Sequence, residues 1–248
     1  VPATEVTSDT LYVYGIVPDG IRPPRTAGVA GAPVRLLSGA GLRAAVSDAP
    51  AHVRARRRDL MAHQEVLREL AAQGPVLPMR FGALSPDADT LRARLRADAA
   101  HLGAQLDGVR DCLEMNVKGT VVPGYFATLV RRDDRLRTLA RRTRHRPDYE
   151  ANVRLGEALA RGVRREARRA AQEVLARLTP GTVRTAPGPT DDEQVLNASF
   201  LLRTADEERF RQAVAEQAAG YGDRLALSVT GPLPCYSFVA PRPAADGR

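Results

Sequence analysis

The chain has 248 residues, 44% of them hydrophobic and 27% charged, enough for one large or two ordinary domains with a buried core and a soluble surface. Its 37 basic residues against 29 acidic ones leave a net charge of +8, a balance that invites an anionic partner. Aromatic residues are only 4% and tryptophan is absent, so stacking platforms for bases are scarce, and no apolar run approaches the ~18 residues of a membrane span.

All the basic residues except Lys118 are arginine, and alanine is abundant throughout. Such uniform bias fits a GC-rich coding sequence as readily as selection for phosphate contacts, so composition disfavours nucleic acid as the partner. The first residues, "VPATEVTSDT", are neither basic nor followed by an apolar segment of signal type. Cys112 and Cys235 stand far apart and in no CxxC pattern, which predicts structural thiols in a reducing cytoplasm.

Leu11 to Val17 is rich in Val, Ile and Tyr and ends at Pro18, which predicts a buried strand. "PVRLL" and "LRAAVS" flank "SGAG", which predicts a hairpin with a glycine-assisted turn. "GAGLRA", at 39–44, also fits the spacing G-x-G-x-x-A. A dinucleotide fingerprint must leave a strand and open a helix, whereas "LRAAVS" reads as extended, so these are turn glycines. From Val53 to Ala72 the apolar positions Val53, Leu60, Leu67 and Leu70 repeat at helical spacing, with Gly74 where a C′ glycine belongs. "PVLPM" reads as a strand bracketed by prolines, Val76 and Leu77 being its buried residues. Ser85 is placed to cap a helix with Pro86 first, an inner stripe of Leu91, Leu95, Leu102 and Leu106, and an end at Gly108. "LEMNVK" alternates as a half-buried strand does. The first half is therefore α+β, a domain of residues 1–120.

After Gly119 the texture changes to arginine-rich helices, one expected from about Tyr125 to Arg144 and another from about Tyr149 to Leu178, broken at Pro147. The second carries a stripe of Leu155, Leu159, Val163, Val174 and Leu178, while arginines crowd its other side. "TPGTVRTAPGPTDDE" reads as an irregular linker. "QVLNASFLLR" is a strand, Thr204 to Glu207 has the T-x-x-E form of a capping box, and "RLALSVT" is the returning strand. This gives a second α+β domain, residues 121–248, ending in the short polar tail "APRPAADGR". "GPLPCYSF" repeats the proline bracketing of "GPVLPMRFG", and Tyr236 and Phe238 are expected to fill core.

No Walker A, G-x-S-x-G, HExxH or acidic calcium loop occurs, and His52, His63, His101 and His145 lack ligand spacing. The expectation is no catalytic residue, no cofactor and no metal. His63 shares a helix face with Leu60 and Leu67, and Glu65 lies on another side of that helix, so it reads as a structural histidine and not as a general base. The arginines of the long helix, Arg161, Arg165 and Arg168 foremost, are the candidate partner-binding residues, although the same pattern suits a solvated helix face.

Taken together, "LYVYGIV", "GPVLPMRFG", "LEMNVKG" and "NASFLLR" followed by "YGDRLALSVTGPLPCYSF" resemble the gas vesicle protein GvpL/GvpF family in order along nearly the whole chain. Departures are Ala83 where the family often has Thr, and Leu233 and Cys235 within a block often written GPWPPYSF. The resemblance implies a non-enzymatic accessory or minor structural protein of gas vesicle assembly, cytoplasmic and vesicle-associated. It also implies a ferredoxin-like C-terminal domain with additional helices. The partners it implies are the hydrophobic shell subunit GvpA and other accessory proteins, not a membrane. A basic nucleic-acid-binding protein and a small-molecule sensor or enzyme stay open as alternatives.

Overall fold

The computed structural model describes residues 9–145 and 149–239; the expected break at Pro147 and the polar tail from residue 240 lie outside them. The expected α+β class holds, with two sheets that share no strand. The chain forms two compact units, one comprising Val1–Glu114 and Pro232–Arg248, the other Met115–Gly231. The sequence division at residue 120 placed everything after it in the second domain. Instead, the described residues from Pro232 onward belong to the first unit, because Tyr236 and Ser237 hydrogen-bond to residues of that unit.

In the first unit, β1 (Leu11–Pro18) pairs antiparallel with β3 (Leu42–Asp48), which pairs with β2 (Arg35–Gly39). The β2–β3 loop is Ala40–Gly41, both at positive φ, the left-handed geometry that lets two residues reverse a hairpin. The glycines of "GAGLRA" therefore serve a turn. The other edge of β1 is covered by two short strands, β4 (Leu77–Pro78) opposite Ile16 and Gly15, and β5 (Leu84–Ser85) opposite Tyr12 and Leu11. "PVLPM" thus contributes only two residues of ladder, as its prolines allow at a sheet edge. β1 is buried along nearly its whole length.

Helix α1 (Arg57–Ala71) turns Asp59, His63, Val66, Leu67 and Leu70 inward. Leu60, expected on that stripe, is instead 40% exposed, because the inward face runs through His63 and Val66. The expected helix from Ser85 to Gly108 is two: α2 (Ala88–Ala97) and α3 (Ala99–Gly108), separated at Asp98, whose backbone is not helical. Ser85 lies in β5, and Asp87 caps α2 by accepting from the Thr90 N–H at 2.6 Å.

β6 (Cys112–Val121), β7 (Arg184–Pro187), β8 (Gln194–Arg203) and β9 (Leu225–Leu233) form the second sheet, in the order β7-β8-β6-β9. β7 lies within the stretch read as a linker; it is an edge strand, where Pro187 is tolerated. Between β6 and β7 run α4 (Phe126–Arg132), α5 (Asp134–His145) and α6 (Tyr149–Leu178), and α7 (Glu207–Tyr221) joins β8 to β9. The single helix expected from Tyr125 to Arg144 is broken by Asp133, whose Oδ1 accepts from the N–H groups of Arg135 and Leu136 and caps α5. At the T-x-x-E segment Thr204–Asp206 make a 3-10 turn, and α7 starts at Glu207.

Along α6 the buried residues are Gly162, Val163, Ala167, Ala170, Ala171, Val174 and Leu178. Leu155 and Leu159, predicted inner, are only half-buried. The helix is fixed at two levels. Its middle meets α4 and α5, where a Cβ on Gly162 would stand 2.7 Å from Leu129 Cδ2, so the helices approach closely there. It also contacts β8 and α7, the latter with Glu173 accepting from Tyr221 Oη at 2.8 Å. Phe200 of β8 packs on Phe210 of α7 with ring centroids 5.0 Å apart.

Candidate functional site

With its buried face locked in this way, α6 presents its arginines to solvent. Arg161, Arg165 and Arg168 fall one helical turn apart, and the structure brings all three to one shallow cleft of about 620 Å³ with Arg164, Arg169, Gln172 and Asp192. Each guanidinium has a carboxylate near it. Arg161 meets Glu157 at 3.4 Å, Arg165 meets Asp133 at 4.0 Å and Arg169 meets Glu173 at 3.1 Å. These are exposed pairs, and such pairs hold a side chain in place without contributing much stability.

Asp192 differs from the other counter-ions. It comes from the turn before β8 and divides its carboxylate between two arginines, Oδ1 accepting from Arg168 at 3.0 Å and Oδ2 from Arg164 at 3.1 Å. The turn is organised by its neighbour: Asp191 Oδ1 accepts from the backbone N–H groups of Gln194 and Glu193. Those bonds hold the Asp191 carboxyl below the usual carboxylate range. Sequence reading placed the arginines on one helix but missed Asp192, since only the acidic run "TDDE" in a supposed linker hinted at it.

In the first unit, several polar groups converge on His63, the histidine that sequence reading took as structural. Its Nδ1 lies 3.0 Å from Tyr12 Oη, and its Nε2 lies 3.1 Å from Met79 O and 3.2 Å from Tyr236 Oη. The Met79 carbonyl can only accept, so Nε2 carries the hydrogen and Nδ1 accepts from Tyr12. Tyr12 Oη in turn accepts from Gly82 N–H, while Tyr14 stacks on the imidazole with centroids 5.4 Å apart. Burial pushes the His63 pKa down, against the Met79 bond, and so holds the ring neutral. It pushes Tyr12 well above the usual phenol range, and Tyr236 to about 12 with help from the Glu114 charge.

A neutral imidazole whose two nitrogens are both committed to the scaffold is a poor proton carrier, which accords with the structural reading of this residue. The two bracketed motifs are united here: "GPVLPMRFG" supplies Met79 O, the Phe81 ring and Gly82 N, and "GPLPCYSF" supplies Tyr236.

Among the described residues no group of three His, Cys, Asp or Glu side chains could hold a metal, and no helix is long and apolar enough to cross a membrane. Cys112 and Cys235 are both thiols.

Comparison with known proteins shows similarity from end to end. The family model described as "Gas vesicle synthesis protein GvpL/GvpF" matches residues 10–240. Gas vesicle protein F of Streptomyces sp. (strain CB03234) is 38% identical over 93% of this chain and 99% of its own length. Gas vesicle protein F1 of Halobacterium salinarum is 28% identical over 94% of this chain and 93% of its own. Among solved structures, GvpF from Anabaena sp. PCC7120 superposes with a TM-score of 0.78 at 23% identity, covering 93% of this chain and 98% of that one. GvpF from Microcystis aeruginosa gives 0.73 at 21% identity, over 92% and 98%.

Proposed function

The chain belongs to the gas vesicle synthesis protein GvpL/GvpF family, and on that premise we propose that it is a gas vesicle accessory or minor structural protein. It binds the hydrophobic shell subunit, GvpA, and assists its assembly alongside other accessory proteins, as a vesicle-associated protein and not as an enzyme. The observation that carries this reading is the similarity to a gas vesicle protein F across nearly the full length of both chains.

Surface chemistry supports it. A shell subunit that faces gas must expose apolar surface before assembly, and a soluble partner can cover that surface while staying dispersed. The helices of the second unit expose Phe126, Tyr149 and Val153, the last two one turn apart on α6. Further along the same helix Arg161, Arg165 and Arg168 supply charge and a docking face. We read the second unit as ferredoxin-like with added helices, on the support of its β-α-β-β-α-β succession and the strand order β7-β8-β6-β9.

Co-expression with the shell subunit tests the reading. The expected result is co-purification of the two, with less aggregated shell subunit than when it is expressed alone. A shell subunit that neither co-purifies nor gains solubility overturns it.

A further inference from the structure

We propose that the arginine cleft of α6 is a receptor for an acidic polypeptide segment, and that Asp192 of this same chain occupies one carboxylate position there until the partner displaces it. The inference rests on reading the arginine face as a docking surface, but not on which protein docks.

Charge complementarity selects an anion. Five guanidinium groups line the cleft, and Asp192 is the one carboxylate among the described lining residues. The spacing of the charges selects a polypeptide. The arginines rise along a helix in steps of about 5.4 Å per turn, the separation at which an acidic helix presents carboxylates three and four residues apart. A nucleic acid carries one phosphate charge per roughly 1.7 Å of duplex axis, a denser array than arginines about one helical turn apart match. Here the row of arginines is also interrupted by the carboxylates of Glu157, Asp133, Asp192 and Glu173, each against one or two of the arginines. Among the described residues no aromatic side chain lines the cleft for a base to stack on.

Asp192 shows how a bound carboxylate sits. It bridges Arg164 and Arg168 with one oxygen to each, at 3.1 and 3.0 Å. Its side chain is 65% exposed, and exposed ion pairs are weak enough to exchange. It also sits on a turn whose geometry Asp191 fixes through the Glu193 and Gln194 amides. The pairing therefore tethers a competitor at high local concentration. A partner with a single carboxylate gains little against it, whereas one with several carboxylates replaces it and engages the remaining arginines together.

The test is fluorescence anisotropy of the full chain against a labelled synthetic peptide bearing glutamate at every fourth position, with a glutamine twin as control. The parent should bind the acidic peptide, and the glutamine twin should not. Asp192→Asn should bind about 3- to 10-fold tighter, the release of two exposed pairs. Asp191→Ala, which keeps the Asp192 carboxylate but removes the turn presenting it, should shift affinity in the same direction and guards against a folding artefact of the first variant. Arg164→Gln with Arg168→Gln should bind at least ~10-fold weaker. Unchanged or weaker binding by both aspartate variants overturns the competitor role, and a labelled DNA duplex that outcompetes the peptide on the parent overturns the choice of partner. Shell-subunit association without peptide binding sinks this inference alone; peptide binding without shell association sinks the assembly reading alone.

Discussion

His63 and Tyr236 are 173 positions apart in sequence, yet Nε2 of one lies 3.2 Å from the hydroxyl of the other. The contact fastens the C-terminal turn to α1 within the first unit. Removing only the hydroxyl, by Tyr236→Phe, should cost about 0.5–1.5 kcal/mol, the net worth of one hydrogen bond. Phe238, in the same turn and 8% exposed, should cost about 3–5 kcal/mol when cut to alanine. Denaturant melts of the two variants check both values. Equal and negligible effects would mean that the turn is not docked in solution.

The histidine also makes stability depend on pH, with a definite sign. Burial lowers the folded-state pKa of His63 beneath the ordinary value of about 6.5, so the unfolded chain binds the proton more readily. Its contribution is fully present above that ordinary value and is lost as pH falls from there through the folded-state pKa. Carboxylates such as Glu69 and Asp191, whose folded pKa values are lowered, lose their contribution only below their own ordinary range, roughly pH 4. Between pH 7 and 5, roughly the imidazole window, the parent's melting temperature should therefore fall, and His63→Gln should flatten the slope whatever its absolute stability. A variant with the parent's slope would assign the effect to another group.

Glu114 is buried and spends its carboxylate on one residue, accepting from Ser237 N–H at 2.9 Å and from Ser237 Oγ at 2.7 Å. Glu114→Ala removes both bonds to a charged acceptor and should destabilise by roughly 3 kcal/mol, whereas Ser237→Ala keeps the backbone bond and should cost about half as much. Thermal melts rank the two. The reverse order would place the energy in the hydroxyl.

What the sequence made legible, and what it hid, divides by the range of the cause. Hydrophobic alternation and turn glycines act within a few residues, so β1, the β2–β3 hairpin and the strands β6, β8 and β9 could be read directly. Helix interruptions could not. Asp98 and Asp133 each end a periodic apolar pattern that continues on its far side, and an aspartate reads as an exposed helix residue until its backbone is seen. Register on α1 failed in the same way: the inward face is chosen by the partners of His63, which come from β1, residues 79–82 and Tyr236. Of the site, the helical spacing showed the arginines, but Asp192, the counter-ion that Arg164 and Arg168 share, sits 24 residues beyond Arg168 on a turn read as irregular.

The arginine face separates docking from folding in a single variant. Arg161→Glu, Arg165→Glu and Arg168→Glu change three exposed side chains and leave Val163, Ala167 and Ala170 buried beneath them untouched. Exposed substitutions of this kind move stability by under ~0.5 kcal/mol each, so the triple variant should melt within about 1.5 kcal/mol of the parent. Three local penalties add to that figure without dominating it. The first new carboxylate, in place of Arg161, would face Glu157 one turn away, the second, in place of Arg165, would face Asp133, the residue that caps α5, and the third, in place of Arg168, would face Asp192. Association with the shell subunit should weaken, and raising salt on the parent should reproduce part of the loss, since the pairs are exposed and screening acts over about 8 Å at physiological ionic strength. The melt and the co-purification yield, measured side by side, decide the outcome. A triple variant that folds and still binds the shell subunit at parental level moves the docking surface to the exposed apolar residues Phe126, Tyr149 and Val153.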